Sequence, residues 1–402
     1  MHIRPFNAWR PRPELASQVA AVPYDVVDTT EAMALAAGNP YSFLHVSRAE
    51  IDLPAGADPH ADATYARAGA NLRAFQRQGV LSREPSPVLY VYRLVMDGRA
   101  QSGIVAACAV DDYLDGTIRT HEKTRHDKED DRTRHITFLN AQTEPIFIVF
   151  RDDPAVERIM AATMAGASLY DFIAPDGIRH TMWRIADAAV VTGIFGGIPA
   201  AYIADGHHRA AAAARVAKAR RASGAAAGDF DWFMAVLFPA SQVRILPYNR
   251  CVRDLRGMTP AGFLARLGET FHLTENADAA PPAPGQVSMY MGGRWYGIRW
   301  PVDARGGSAA LDVTILQDRI LAPLLGISDP RTDERIEFIG GIRGSAELVK
   351  RVNSGRAAVA FAMYPTQVDQ MMTIADAGGI MPPKSTWFEP KLRSGLFVNC
   401  LE

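Results

Sequence analysis

The segment Asp205-Gly206-His207-His208-Arg209 closes a short apolar run and opens an alanine-rich one. Such a junction reads as a strand that turns into a helix. A helix start presents backbone N–H groups without partners and the positive end of the macrodipole, so it attracts anions. Gly206 permits a tight turn and close backbone approach. Arg209 can offer a bidentate fork to an anionic oxygen, and His207 and His208 can donate or accept protons. Together these residues suit a phosphate cradle. Asp205 would repel a phosphate, so its place there suits a metal ligand, a holder of a histidine or a proton acceptor. The plainer alternative is a helix cap at Asp205 with both imidazoles in solvent. A zinc pair is disfavoured because adjacent histidines diverge, unlike the i, i+4 pair of a zinc helix.

A second cluster lies upstream. Arg119–His135 holds fourteen titratable side chains in seventeen residues, with alternating signs. Much of that charge can cancel along a solvated helix, with Arg125–Glu129 and Lys128–Asp131 as candidate rungs. His121-Glu122 precedes the helical part, and a carboxylate held near a phosphoryl donor can take the proton of a hydroxyl acceptor. Glu122 is therefore the candidate general base, with Arg132 and Arg134 as candidate anion contacts.

These residues need elements to position them. Residues 29–37 read as a helix capped at Asp28 or Thr29, and residues 62–78 as an amphipathic helix. YSFLHVSR and VVTGIF read as strands, Asp97-Gly98 as a hairpin turn and EPIFIVFRD as a strand. DFDWFMAVLF is expected beside the strand that starts at Ala200. AGFLARLGETF reads as a helix, VSMYMGGRWYGIRW as a hairpin and residues 367–377 as a further helix. Strands and helices mix without regular alternation, so the expected class is α+β with a mixed sheet core. The expected division is a core domain over residues 1–258, carrying HEKT and DGHHR, and a second α+β region over 259–402.

The net charge of −1 argues against a broad nucleic-acid surface, since sequence-independent affinity comes from excess Lys and Arg. Cys108, Cys251 and Cys400 form no CxxC pair, which fits a reducing cytoplasm. The first residues lack the apolar core of a signal peptide, and the run Ala188–Ala204 is short and broken by glycines and Pro199, so no membrane partner is expected. A small molecule is the expected partner, and the sequence leaves homo-oligomerisation open.

At DGHHR the chain resembles the ParB-like proteins that include sulfiredoxin and the free-serine kinases, in which such a turn at a helix start holds nucleotide phosphates. Nearly the whole chain also resembles a bacterial and archaeal family catalogued as a domain of unknown function. The motifs are PYDVV (Pro23–Val27), NPYSFLHV (Asn39–Val46), HEKT (His121–Thr124), DKEDDRTRH (Asp127–His135), ADGHHR (Ala204–Arg209), LPYNR (Leu246–Arg250) and MPPKSTWFEPKLRSGL (Met381–Leu396). The resemblance implies phosphoryl transfer to free L-serine from pyrophosphate, ADP or ATP with Mg²⁺, and Glu122 matches the catalytic glutamate of the serine kinases. Family members often carry Tyr and Glu after the arginine, where this chain has Ala210–Ala214. No GxxxxGK[ST] or HRD/DFG set is present, so neither a P-loop enzyme nor a protein kinase is indicated.

In that setting Asp205 is the expected metal ligand, and Tyr24, Asp25, Asn39 and Ser42 could shape an amino-acid pocket or simply cap loops. Lys384, Ser385 and Thr386 could contact the anion or belong to a packed tail. Two other functions remain open: a phosphohydrolase using the same cradle, and a nucleotide-regulated ParB-like binding protein.

Overall fold

The computed structural model describes residues 1–301 and 306–401. The chain forms two compact units, Met1–Val243 with the segment from Pro390 onward, and Arg244–Glu389. Thr259 lies inside the second unit, where its side chain caps the Pro260–Gly268 helix.

The first unit is built on a nine-stranded mixed sheet. Its hairpin joins Tyr90–Met96 to Arg99–Ala109 through Asp97 (φ 52°) and Gly98 (φ 76°), the left-handed pair that a two-residue turn demands. From this hairpin the sheet runs through Trp232–Pro239, Ile146–Phe150 and Ala201–Asp205 to Ile118–Arg119 at one edge. On the other side lie Arg179–Arg184 and Tyr170–Ile173, and Ile3–Arg4 pairs with the Arg99–Ala109 strand. Ile146–Phe150 is buried throughout and apolar throughout, as a central strand covered on both faces must be.

The Ala201–Asp205 strand runs parallel to Ile118–Arg119 and antiparallel to Ile146–Phe150. The residues following the first two strands and preceding the third therefore meet at one end of the sheet. A register shift between Ile203 and Asp205 marks a bulge there, a device that turns the strand just before the DGHHR segment. The alanines of the His207–Ala222 helix have a packing reason. Ala210, Ala212, Ala213, Ala214 and Ala217 are buried in the main core, beside Ile148, Ile203 and Leu237, and small side chains let the helix lie close to the sheet.

Three expectations differ from the structure. YSFLHVSR forms a short helix, Leu44–Ser47, in which Leu44, Val46 and Ser47 are buried together with the preceding Phe43, at helical spacing. VVTGIF lies in the Ala188–Gly196 helix, nucleated by Asp187, whose carboxylate accepts from Ala189 and Val190 N–H groups. Short apolar runs carry no period strong enough to separate strand from buried helix. Finally, Trp232–Pro239 is separated from Ala201–Asp205 by Ile146–Phe150. The helix over Thr29–Ala36 has the capping box formed by Asp28 and Glu31, and Asp62–Arg77 buries Tyr65, Leu72 and Phe75.

The second unit carries a six-stranded antiparallel sheet in the order His272–Glu275, Arg294–Arg299, Gln286–Met291, Val359–Met363, Tyr248–Val252, Ile336–Gly340. Cys251, Tyr290, Ile339, Ala360 and Leu348 of the Gly344–Asn353 helix form a small core on it. The expected hairpin turns at Gly292-Gly293, and the expected later helix is Val368–Asp376. An α+β chain with mixed and antiparallel sheets is the observed class. No helix of the described residues is long and apolar enough to cross a membrane.

Candidate active site

The edge strand Ile118–Arg119 leads into His121-Glu122, and its parallel neighbour Ala201–Asp205 leads into Gly206–Arg209. The two segments meet: the His121 and His207 rings pack edge to face with centroids 4.6 Å apart. His121 is 1% exposed and His207 is 6% exposed. Burial lowers the His121 pKa to about 4, against the opposing pull of the Ile203 backbone and Asp205. Burial, reinforced by His121, holds His207 well below the usual histidine range. The Nε2 atom of His207 has no hydrogen-bond partner among the described residues. Glu122, half-buried, follows His121 directly.

His208 is oriented from the other side. Its Nε2 accepts the Arg125 backbone N–H at 3.1 Å, so the neutral ring carries its proton on Nδ1. Burial lowers its pKa against the nearby carboxylates of Asp25 and Glu129. Near neutral pH the motif thus presents neutral imidazoles, suited to hydrogen bonding rather than to binding phosphate by charge.

Gly206 adopts φ 95°, and the Arg209 guanidinium lies directly over it. Arg209 is buried; one Nη donates to the Pro145 carbonyl, and the other lies 3.7 Å from Asp205 Oδ1. Asp205 Oδ2 accepts from Lys391 Nζ at 2.9 Å. Burial opposes ionisation of Asp205, but Lys391 and Arg209 prevail and hold its carboxyl far below the ordinary range.

Beneath the helix start lies a second charged layer. Arg132 is buried, stacks over the Tyr24 ring at 3.7 Å and pairs with Asp131 at 2.7 Å. Glu144 accepts from the Tyr24 N–H at 3.4 Å and the Ser394 hydroxyl at 3.0 Å. Burial raises its pKa against Arg209 and Arg132. Arg132, Glu144, Arg209 and His135 help line a cavity of about 30 Å³, room for a water molecule or two.

The structure therefore brings together Tyr24, Arg132, Asp205, Gly206, His207, His208 and Arg209, with Asp25 close enough to influence His208 and Arg209. Others go elsewhere. Arg134, two residues from Arg132 on the His126–Leu139 helix, points away as helical geometry requires. It bonds Asp62 and the His60 carbonyl and lies over Tyr65. Asn39 caps its own loop through Gln18 O and Tyr41 N, and the Ser42 hydroxyl accepts from Leu44 N.

Lys384, Ser385 and Thr386 belong to the second unit. There the Lys384 ammonium lies over Tyr248, its carbonyl accepts from Arg250, and the Ser385 hydroxyl donates to Pro382 O. That is the packed-tail alternative for this loop. Arg125 pairs with Asp127 at 2.8 Å rather than with Glu129.

Sequence reading missed Glu144, Lys391 and Ser394. A carboxylate and a proline directly before a fully apolar strand were the available signal for Glu144. Lys391 and Ser394 sit in the same long motif as Lys384, with nothing local to show which lysine returns to the first unit.

The buried imidazoles set an acid limit. In the unfolded chain His121 and His207 protonate near the usual pKa of about 6.5, whereas the folded chain withholds the proton. Stability is full above that value and falls as pH drops toward 4, by about 1.4 kcal/mol per pH unit for each such imidazole. Urea unfolding at about pH 7 and about pH 5 checks this, with His121→Asn expected to flatten the slope by one proton. A stability that stays level across that window contradicts the neutral buried pair.

Mg²⁺ on Asp205 does not fit the residues present. Both Asp205 oxygens face cations, Arg209 on one and Lys391 on the other.

A search of the curated proteins finds no match. Among solved structures, a free serine kinase in complex with AMP aligns over 73% of this chain and 91% of its own, at 14% identity and a TM-score of 0.36. A conserved hypothetical protein from Pyrococcus furiosus aligns over 74% and 95%, at 14% identity and a TM-score of 0.36. SbnI from Staphylococcus aureus, with a C-terminal truncation, aligns over 74% and 87%, at 12% identity and a TM-score of 0.39. These likenesses are distant. The family described as "Protein of unknown function (DUF1015)" matches residues 3–314, and the chain belongs to that family.

Proposed function

We propose that the chain is a small-molecule phosphotransferase that phosphorylates a hydroxyl compound, with free L-serine as acceptor and pyrophosphate, ADP or ATP as donor. The observation that carries this reading is the meeting of His121-Glu122 and Asp205–Arg209 at the ends of parallel neighbouring strands, with the His121 and His207 rings 4.6 Å apart. The likeness of the DGHHR turn to the phosphate-holding turn of ParB-like proteins and serine kinases supports the choice of ligand, and the helix start supplies N–H groups for it.

In this reading the terminal phosphoryl of the donor lies at the start of the His207–Ala222 helix. The neutral His208 offers its Nδ1 proton as a hydrogen bond, and Glu122 takes the proton of the acceptor hydroxyl. A bond forms from that oxygen to phosphorus as the bond to the donor's bridging oxygen breaks, and the leaving group departs with its charge. Catalysis of this type is mostly positioning and electrostatic stabilisation, which suits a site made of fixed dipoles. Tyr24 and Asp25 are the proposed acceptor-side residues.

The test is incubation of the protein with L-serine, Mg²⁺ and each donor in turn, with assays for O-phosphoserine and free phosphate. Phosphoserine formation supports the proposal. Free phosphate independent of serine marks a hydrolase instead, and neither product with any donor overturns the phosphotransfer reading.

A further inference from the structure

The PYDVV segment turns at Pro23–Val26, where the Val26 N–H donates to the Pro23 carbonyl at 3.3 Å and Tyr24 and Asp25 occupy the corners. Tyr24 is fixed from two sides. Its ring lies under the Arg132 guanidinium at 3.7 Å with the residue 7% exposed, and its backbone N–H donates to Glu144 at 3.4 Å. Both supports are themselves held: Arg132 pairs with Asp131 at 2.7 Å, and the Glu144 carboxylate also accepts from the Ser394 hydroxyl at 3.0 Å. A turn anchored in this way holds its next residue in place.

That residue is Asp25. It is exposed, and its charge reaches His208, Arg209 and Glu144. Aspartate is common in turns because its carboxylate bonds nearby backbone N–H groups, as Asp28 does at Glu31. Turn chemistry does not account for Asp25, whose carboxylate has neither a hydrogen bond nor an ion pair among the described residues. Burial keeps His208 neutral near neutral pH, and Arg209 is committed to Asp205 and the Pro145 carbonyl. Beside a phosphate site, a carboxylate repels the ligand unless a cation meets it. Lys391 and Arg209 do this for Asp205; for Asp25 the cation has to arrive with a ligand.

We infer that Asp25 is a specificity-determining residue that receives the ammonium group of the hydroxyl acceptor, so that the site selects amino alcohols, amino acids among them, over hydroxy acids. The inference rests on the phosphotransfer reading and names the substrate class of that site. An ammonium is a compact charge with three donors, and a carboxylate meets it with charge-assisted hydrogen bonds. The ammonium takes no part in the transfer, so the contact is made in the bound acceptor and in the transition state alike. Its loss therefore acts on the acceptor's KM.

The experiment compares two acceptors for the full chain, L-serine and hydracrylate, which is serine without its ammonium group, using the donor that gives product. Wild type is expected to favour L-serine in kcat/KM by roughly 10–100-fold, the scale of a hydrogen bond to a charged group. Asp25→Asn keeps the shape of an exposed, unbonded side chain and removes its charge. It is expected to raise the KM for L-serine and bring its kcat/KM down toward that for hydracrylate, erasing the preference. A preference that survives Asp25→Asn, or equal losses on the two acceptors, overturns the inference and leaves phosphotransfer standing. A rise in the Mg²⁺ needed for half-maximal rate, with the preference intact, also overturns it and assigns the carboxylate to a metal. Wild type that phosphorylates neither acceptor with any donor removes the phosphotransfer reading, and the inference with it.

Discussion

Glu122→Gln is expected to lower phosphoserine formation by roughly 10²–10⁴-fold, the usual contribution of a positioned general base. The substitution keeps the shape of the side chain and one of its acceptor oxygens, so what disappears is the capacity to take a proton. Donor binding in this reading depends on the helix start, and the substitution leaves the Gly206–Arg209 turn in place. Pyrophosphate affinity is therefore expected to stay within about twofold, the pattern of an interaction made only in the transition state. Measuring turnover and pyrophosphate affinity on the same preparation separates the roles. A parallel loss of both points to Glu122 as a structural group of the HEKT turn, and unchanged turnover removes it from the chemistry.

The DGHHR helix start, the capping box of Thr29–Ala36 and the Asp97-Gly98 hairpin were legible in the sequence because each rests on local rules: a glycine at positive φ, a cap at fixed spacing, a period of two. What could not be read was pairing. The Ile118–Arg119 strand is two residues long, yet its parallel alignment with Ala201–Asp205 places His121 against His207. Residues as weak in local signal as Glu144 and Lys391 acquire meaning only when the sheet order and the return of the segment after Pro390 put them under one helix. Arg132 and Arg134 show the same limit within an element. The charged run identified both, but only the orientation of the helix says that Arg132 faces Tyr24 and Arg134 faces Asp62.

Gly206→Ala tests the turn itself and is expected to be the most damaging small substitution in the site. A Cβ at this position would lie 2.9 Å from Arg209 Nε and 3.0 Å from its Cζ, closer than real contacts allow, and the backbone sits at φ 95°. Arg209 cannot simply withdraw, since its guanidinium is held by the Pro145 carbonyl and faces Asp205. Displacing it leaves buried polar groups unsatisfied at about 1–3 kcal/mol, on top of about 1 kcal/mol for the left-handed backbone. The reduced freedom of the unfolded chain returns only about 0.4–1 kcal/mol.

Gly98→Ala is the matched control, because Gly98 also has positive φ but a Cβ there meets nothing within 4 Å. Urea unfolding should therefore rank Gly206→Ala below Gly98→Ala by roughly 1–3 kcal/mol, and pyrophosphate binding should fail in the first and persist in the second. Equal destabilisation of the two would mean that Arg209 moves aside freely. The guanidinium would then not be the fixed lid of the turn, and the tight Asp205–Arg209 packing would contribute nothing to how the site holds its ligand.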